Sequence, residues 1–251
     1  MQAKFARMKV IGGIGLLLIG LTTASTAIAQ RLVSLNPCFD EWVPQWLPAT
    51  WEFIPSTAHG NRLERVLRAS PDVVLYGTYT NPRLVSQLTA ATHAVRVAEP
   101  NTWAQWQQTL QNVGAELDLE QPLQRWILQQ QNQLAQLPSL SKSVLVIMPN
   151  QYSWGGESFI VNMLRANDLR VIVASESDQL VQLNLEQLIQ LQPERVVLDG
   201  FSHNYARANE WLWHNALQPW LRERDVVQIP SAVSGCPAQR AAEYVAEVVM
   251  P

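Results

Sequence analysis

The chain has 251 residues, with 18 Lys+Arg against 21 Asp+Glu and a formal net charge of −3. An excess of anions excludes nucleic acid and anionic membrane surfaces as partners, and the length suits one large domain or two modest lobes. Ten Trp in so few charges point either to a heavily aromatic core or to a pocket that stacks on a flat ligand.

The chain begins with Lys4, Arg7 and Lys9, an apolar run from Val10 to Leu21, and Ala27-Ile28-Ala29. This is the pattern of a secretory signal peptide, residues 1–29, cleaved near Ala29, and its apolar run is short for a membrane span. Cleavage would remove three cations and no anion, leaving a soluble periplasmic chain of net charge about −6. No Cys follows the cleavage site, which argues against a lipid anchor.

Arg31 to Leu35 reads as a strand that breaks at Asn36-Pro37, and Cys38 to Trp42 opens a helix. Trp51 to Ile54 leads into a turn-rich loop from Pro55 to Gly60. A helix over 62–69 runs into a strand over 73–76, and Gly77 to Pro82 forms a loop at that strand's carboxyl end. A helix over 83–91, a strand over 94–97 and a helix over 103–113 complete residues 30–117 as an N-terminal lobe. In 118–138, Leu119, Leu123, Trp126, Ile127, Leu134 and Leu137 recur mostly at spacings of three or four, which predicts one connecting helix stopped by Pro138.

Residues 139–251 read as a second lobe. It has a strand over 143–148, a loop over 149–156, a helix over 159–166 and a strand over 170–174. A helix over 185–191, a strand over 196–198, a Trp-rich segment over 208–220, a strand over 226–229 and a closing helix over 238–249 follow. Leu63-Glu64 precedes Pro71-Asp72-Val73-Val74-Leu75 as Leu185-Glu186 precedes Pro193-Glu194-Arg195-Val196-Val197, with the same Glu-to-Pro interval. A helix feeding a buried parallel strand, twice, predicts an α/β fold of two Rossmann-like lobes with mainly parallel central sheets joined by one long helix.

The ordered set Arg31 to Cys38, His59-Gly60, Leu63-Glu64, the connecting helix and Leu185-Glu186 resembles the periplasmic solute-binding proteins of cobalamin and iron-siderophore ABC importers. The resemblance spans nearly the whole mature chain. It implies a ligand cleft between the lobes, a corrinoid, metal-siderophore or similar large cofactor as cargo, and a permease dimer as partner. It also implies a monomer that is not an enzyme, with no intrinsic cofactor and no metal site of its own. Glu64 and Glu186, in register in the two half-repeats, would dock on the permease. The sequence departs from corrinoid binders at Ala58 and over Ser231 to Gly235, where aromatic residues are expected.

Cys38 and Cys236 fall in cleft loops by this resemblance. A disulfide, soft-metal ligation, with His59 nearby, and two bland buried thiols all remain open for them. Phe39, His59, Tyr76, Tyr79, Tyr152, Trp154, Phe201 and Tyr205, in or beside loops at strand ends, complete the ligand-binding candidates with the two cysteines. Trp103, Trp106, Trp126, Trp211, Trp213 and Trp220 lie on helix patterns and read as core. No nucleophile elbow, zinc-helix motif or phosphate loop is present. Two other classes stay in view: an extracytoplasmic metal- or thiol-dependent protein using Cys38 and Cys236, and a cofactor-sensing module without a permease.

Overall fold

The computed structural model describes residues 29–201 and 207–250. Residues 1–28 of the expected leader lie outside them, as does Tyr205. The elements run β1 (Gln30–Ser34), α1 (Pro37–Trp42), β2 (Trp51–Ile54), α2 (Ser56–His59), α3 (Leu63–Arg68), β3 (Val73–Gly77), α4 (Pro82–Thr89), β4 (His93–Val97), α5 (Trp103–Leu117) and α6 (Glu120–Ala135). Then come β5 (Val144–Met148), β6 (Tyr152–Trp154), α7 (Phe159–Ala166), β7 (Leu180–Gln182), α8 (Leu185–Gln190), β8 (Arg195–Leu198), α9 (Leu217–Arg222), β9 (Asp225–Gln228), α10 (Ser231–Ser234) and α11 (Ala241–Val249).

The first sheet has the order β2-β1-β3-β4 and is parallel throughout. The chain leaves β1 toward one edge and returns to the other side at β3, so the β1 and β3 loops diverge at a switch point, where α/β folds open a crevice. Both loops use the same device. Asn36 caps α1 by accepting from Cys38 N (2.9 Å) ahead of Pro37, and Asn81 caps α4 by accepting from Arg83 N (2.9 Å) ahead of Pro82. They touch across Gly77, where an added Cβ would stand 2.8 Å from Asn36 Nδ2.

The second sheet, β7-β6-β5-β8-β9, is mixed: β5, β8 and β9 are parallel, whereas β6 is antiparallel to both β5 and β7. Two differences from the sequence reading fall here. Tyr152 to Trp154, expected inside a loop, is a strand, because Ser153 pairs with Ile147 and buries its hydroxyl on Val146 O (2.8 Å). The strand expected over 170–174 reduces to a single bridge, Val144 to Val171. In the first lobe, Trp51 to Ile54 forms the edge strand β2.

The connecting helix α6 is paired with α5, which runs four residues beyond its expected end. Asp118, in the left-handed region at φ 55°, reverses the chain between them, and Leu119 N bonds Gly114 O (2.8 Å). Trp126 of α6 donates to Gln45 (3.0 Å) in the N-terminal lobe, while the helix also packs on α11 in the C-terminal lobe. One continuous apolar core joins Leu32, Leu75 and Val95 of the first sheet, Leu123 and Trp126 of α6, and Val144, Val146 and Tyr244 beyond it. Trp42 sits at its centre, with the rings of Phe39, Trp46, Trp106 and Trp126 at centroid distances of 5.2–6.0 Å. Most of the Trp count is therefore core, although Trp103 and Trp211 are half-buried and Trp213 is exposed. Among the described residues, no helix is long and apolar enough to cross a membrane.

Candidate ligand cleft

A cavity of about 790 Å³ lies between the lobes, within the span of roughly 300–1,000 Å³ typical of small-molecule sites. Three strand ends of the first sheet supply one wall: Leu35 to Phe39 after β1, Gly77 to Asn81 after β3, and Val97 to Asn101 after β4. The other wall comes from Trp154 at the end of β6, the start of α7 at Ser158 to Ile160, Gln179, and Gly235 to Gln239. Gly155 and Gly156 let β6 and α7 close on the 175–178 segment, since a Cβ on Gly155 would meet Asp178 O at 2.3 Å.

Cys38 and Cys236 form a disulfide in the cavity wall, with Cα atoms 5.4 Å apart. It joins the first helix of one lobe to the last loop of the other, and leaves no free thiolate for metal or thiol chemistry. Beside it Arg240 pairs with Glu41 across the lobes and with Glu243 (2.9 Å) in its own. A third link crosses at the Gln179 side chain, which donates to Asn101 (3.1 Å).

Of the remaining expected contacts, Phe39, Tyr79 and Trp154 line the cavity with the two cysteines. Tyr79 is the exposed one, at 88%, and its phenol hydrogen-bonds Glu99; that carboxylate's charge is the larger reason the phenol's pKa is raised. Trp154 is fixed from behind. Its Nε1 donates to Asp199 Oδ2 (2.7 Å), a buried carboxylate flanked by the Ser234 and Tyr244 hydroxyls and with its pKa pushed up by burial.

The structure places four expected contacts elsewhere. His59 is buried, with Nε2 on Ser34 O (3.0 Å) and Nδ1 accepting from Asn61 N (3.1 Å), so the neutral ring pins α2 to β1; burial lowers its pKa. Tyr76 follows the pleat of β3 to the opposite face, where it packs beside Val33, Leu35 and Val74. Phe201 is buried against Trp211 (6.2 Å between ring centroids), on the far face of the second sheet. Tyr152 lines a small crevice there with Ile147, Leu183 and Trp211. Glu99 to Asn101, Ser158 to Ile160 and Gln179 were not among the expected contacts. Glu99-Pro100-Asn101 carries the same signal as the other strand-end loops, a Pro and an Asn directly after a buried strand.

No family model matches the chain, and no curated protein matches it. Solved structures do. A possible iron-binding, periplasmic solute-binding protein of Staphylococcus epidermidis matches with a TM-score of 0.65 at 14% identity, over 87% of this chain and 96% of that one. A periplasmic heme-binding protein of Vibrio cholerae gives 0.65 at 17%, over 89% and 100%. The periplasmic vitamin B12-binding protein of the same organism gives 0.55 at 13%, over 88% and 95%. Matched over nearly all of each of these structures, the chain has the two-lobed fold of the periplasmic solute-binding proteins.

Proposed function

We propose that the chain is an extracytoplasmic binding protein that captures a metal complex or large planar cofactor between its lobes and delivers it to an ABC-importer permease. The observation that carries this reading is the 790 Å³ cavity, built from strand ends of both lobes, with the rings of Tyr79 and Trp154 in its wall and the buried Phe39 and Trp106 packed behind it. Aromatic faces in a recess of that size suit a large, flat, partly apolar guest, with stacking and desolvation as the source of affinity. The fold is shared with proteins named for heme, vitamin B12 and iron binding, which supports the same class of cargo. Binding and release, without turnover, is the mechanism, and the working form is a monomer carrying no intrinsic cofactor.

The permease contacts are Glu64 and Glu186. Each sits exposed in the first turn of its helix, α3 or α8. No ion pair among the described residues engages either one. Helices α3 and α8 lead into the parallel strands β3 and β8, so both helices begin at the edge of their sheet where the strands end, which is the cavity edge.

A thermal-shift and absorbance screen of the mature chain against cobalamin, cobinamide, hemin, ferric siderophores and a quinone cofactor tests the reading. A saturating cargo at about a hundred times its Kd should raise Tm by roughly 5–10 °C. No shift with any of them would sink it.

A further inference from the structure

The polar chemistry of the cavity wall is one-sided. Among its described lining residues there is no Lys, Arg or His, and the one ionisable carboxylate is Glu99. The other polar side chains are amides and hydroxyls. Asn36, Asn61 and Asn81 each spend one end of the amide on the backbone, on Cys38 N, Leu35 O and Arg83 N, and all three line the cavity. The guanidinium next in sequence, Arg240, is held by Glu41 and Glu243. Behind Trp154 lies Asp199, a second acid.

Sites for anionic ligands supply a guanidinium, an ammonium or open helix N–H groups. This wall has neither kind of cation. Helices α1 and α4, which begin in it, open with Pro37 and Pro82, which have no N–H, followed by Cys38 and Arg83, whose N–H groups are used by Asn36 and Asn81. Helix α7, starting at Ser158 to Ile160, brings backbone N–H groups to the wall but no formal charge. A carboxylate or catecholate entering here would lose hydration with no counter-charge and would meet Glu99. A guest with amide edges instead finds matching donors and acceptors, and a positive one gains Glu99 and the faces of Trp154 and Tyr79. The Tyr79 phenol is already engaged by the Glu99 carboxylate.

We propose that, within the metal-complex cargo proposed above, the cleft selects complexes whose outer surface is uncharged or cationic and bears amides, and rejects polyanionic ones. The inference rests on the carrier reading and adds the charge rule. Two sources share this chemistry, amide-rimmed corrinoids and ferric trihydroxamates.

Tryptophan-fluorescence titrations of the mature chain test it with four probes: aquacyanocobinamide, which is cationic and rimmed by amides; a neutral ferric trihydroxamate; hemin, with its propionates; and a ferric tricatecholate, a trianion. The expected result is that one of the first two binds at least about tenfold more tightly than either anion. Which of the two it is tells corrinoid from hydroxamate. Glu99→Gln should weaken the cationic probe roughly three- to tenfold and barely move the neutral one. Glu99→Lys should gain affinity for hemin, a result that misfolding would not produce. Hemin or tricatecholate binding as tightly as the best of the other two would overturn the charge rule and leave the carrier reading standing. An unchanged cobinamide affinity in Glu99→Gln would overturn the role of Glu99, and silence from all four probes would remove the carrier reading itself.

Discussion

Arg195 shows how single residues close the second lobe. Its guanidinium is buried, donates to Asp225 Oδ2 through Nε (2.8 Å) and reaches the Met250 carbonyl (3.1 Å), so one side chain ties β8 to β9 and to the end of α11. The Asp225 carboxyl is held below the ordinary carboxylate range first by the Lys142 ammonium (2.9 Å) and then by Arg195. Asp225→Asn leaves the guanidinium uncompensated and should cost about 2 kcal/mol at pH 7, less than a fully enclosed pair because the Asp225 side chain is 30% exposed. The folded state prefers this carboxylate ionised, so its stabilisation is complete above about pH 4, the unfolded value, and is lost as pH falls through the lowered folded value. Thermal denaturation of both proteins at pH 7 and near pH 2.5 checks this: the gap in Tm should narrow in acid, and a constant gap would assign it to packing.

At the scale of elements, periodicity made most of the fold legible. The half-repeat, Leu63-Glu64 to Leu75 against Leu185-Glu186 to Val197, marks α3–β3 and α8–β8, the helix-strand units beside the central strands β1 and β5. What stayed hidden has physical causes. Tyr152 to Trp154 is too short to show a period and becomes a strand only by pairing with β5 and β7. Tyr76 and Phe201 sit near strand ends as the cavity residues do, but pleat and chain reversal turn them to other faces, which spacing along the chain does not encode. The same geometry gives the docking prediction its form. Because α3 and α8 start at the cavity edge of their sheets, Glu64→Arg with Glu186→Arg should abolish uptake in cells while ligand affinity of the purified protein stays within about twofold. Uptake that survives the double reversal would favour a sensing or delivery module that never meets a permease.

Over the whole molecule, the lobes are not independent bodies on a hinge. The core runs through α6 from one sheet to the other, and the Cys38–Cys236 bridge, the Glu41–Arg240 pair and the Gln179–Asn101 hydrogen bond all cross the cleft. Opening is accordingly limited. Replacing both cysteines by serine removes a loop closure of 198 residues, worth at most about 5 kcal/mol in the unfolded chain. The expected outcome is a lower Tm and a faster ligand off-rate, read by denaturation and stopped-flow fluorescence, with little change in which ligand binds. An unchanged off-rate would mean that the core alone sets the width of the cleft. The bridge also has a consequence for how the protein is made. Cys38 leaves the ribosome nearly two hundred residues before Cys236, and it has no other cysteine in the chain to pair with. Its thiol must wait, exposed to partners on other chains, until the loop carrying Cys236 has been made, so this part of the cleft wall closes late in the making of the protein.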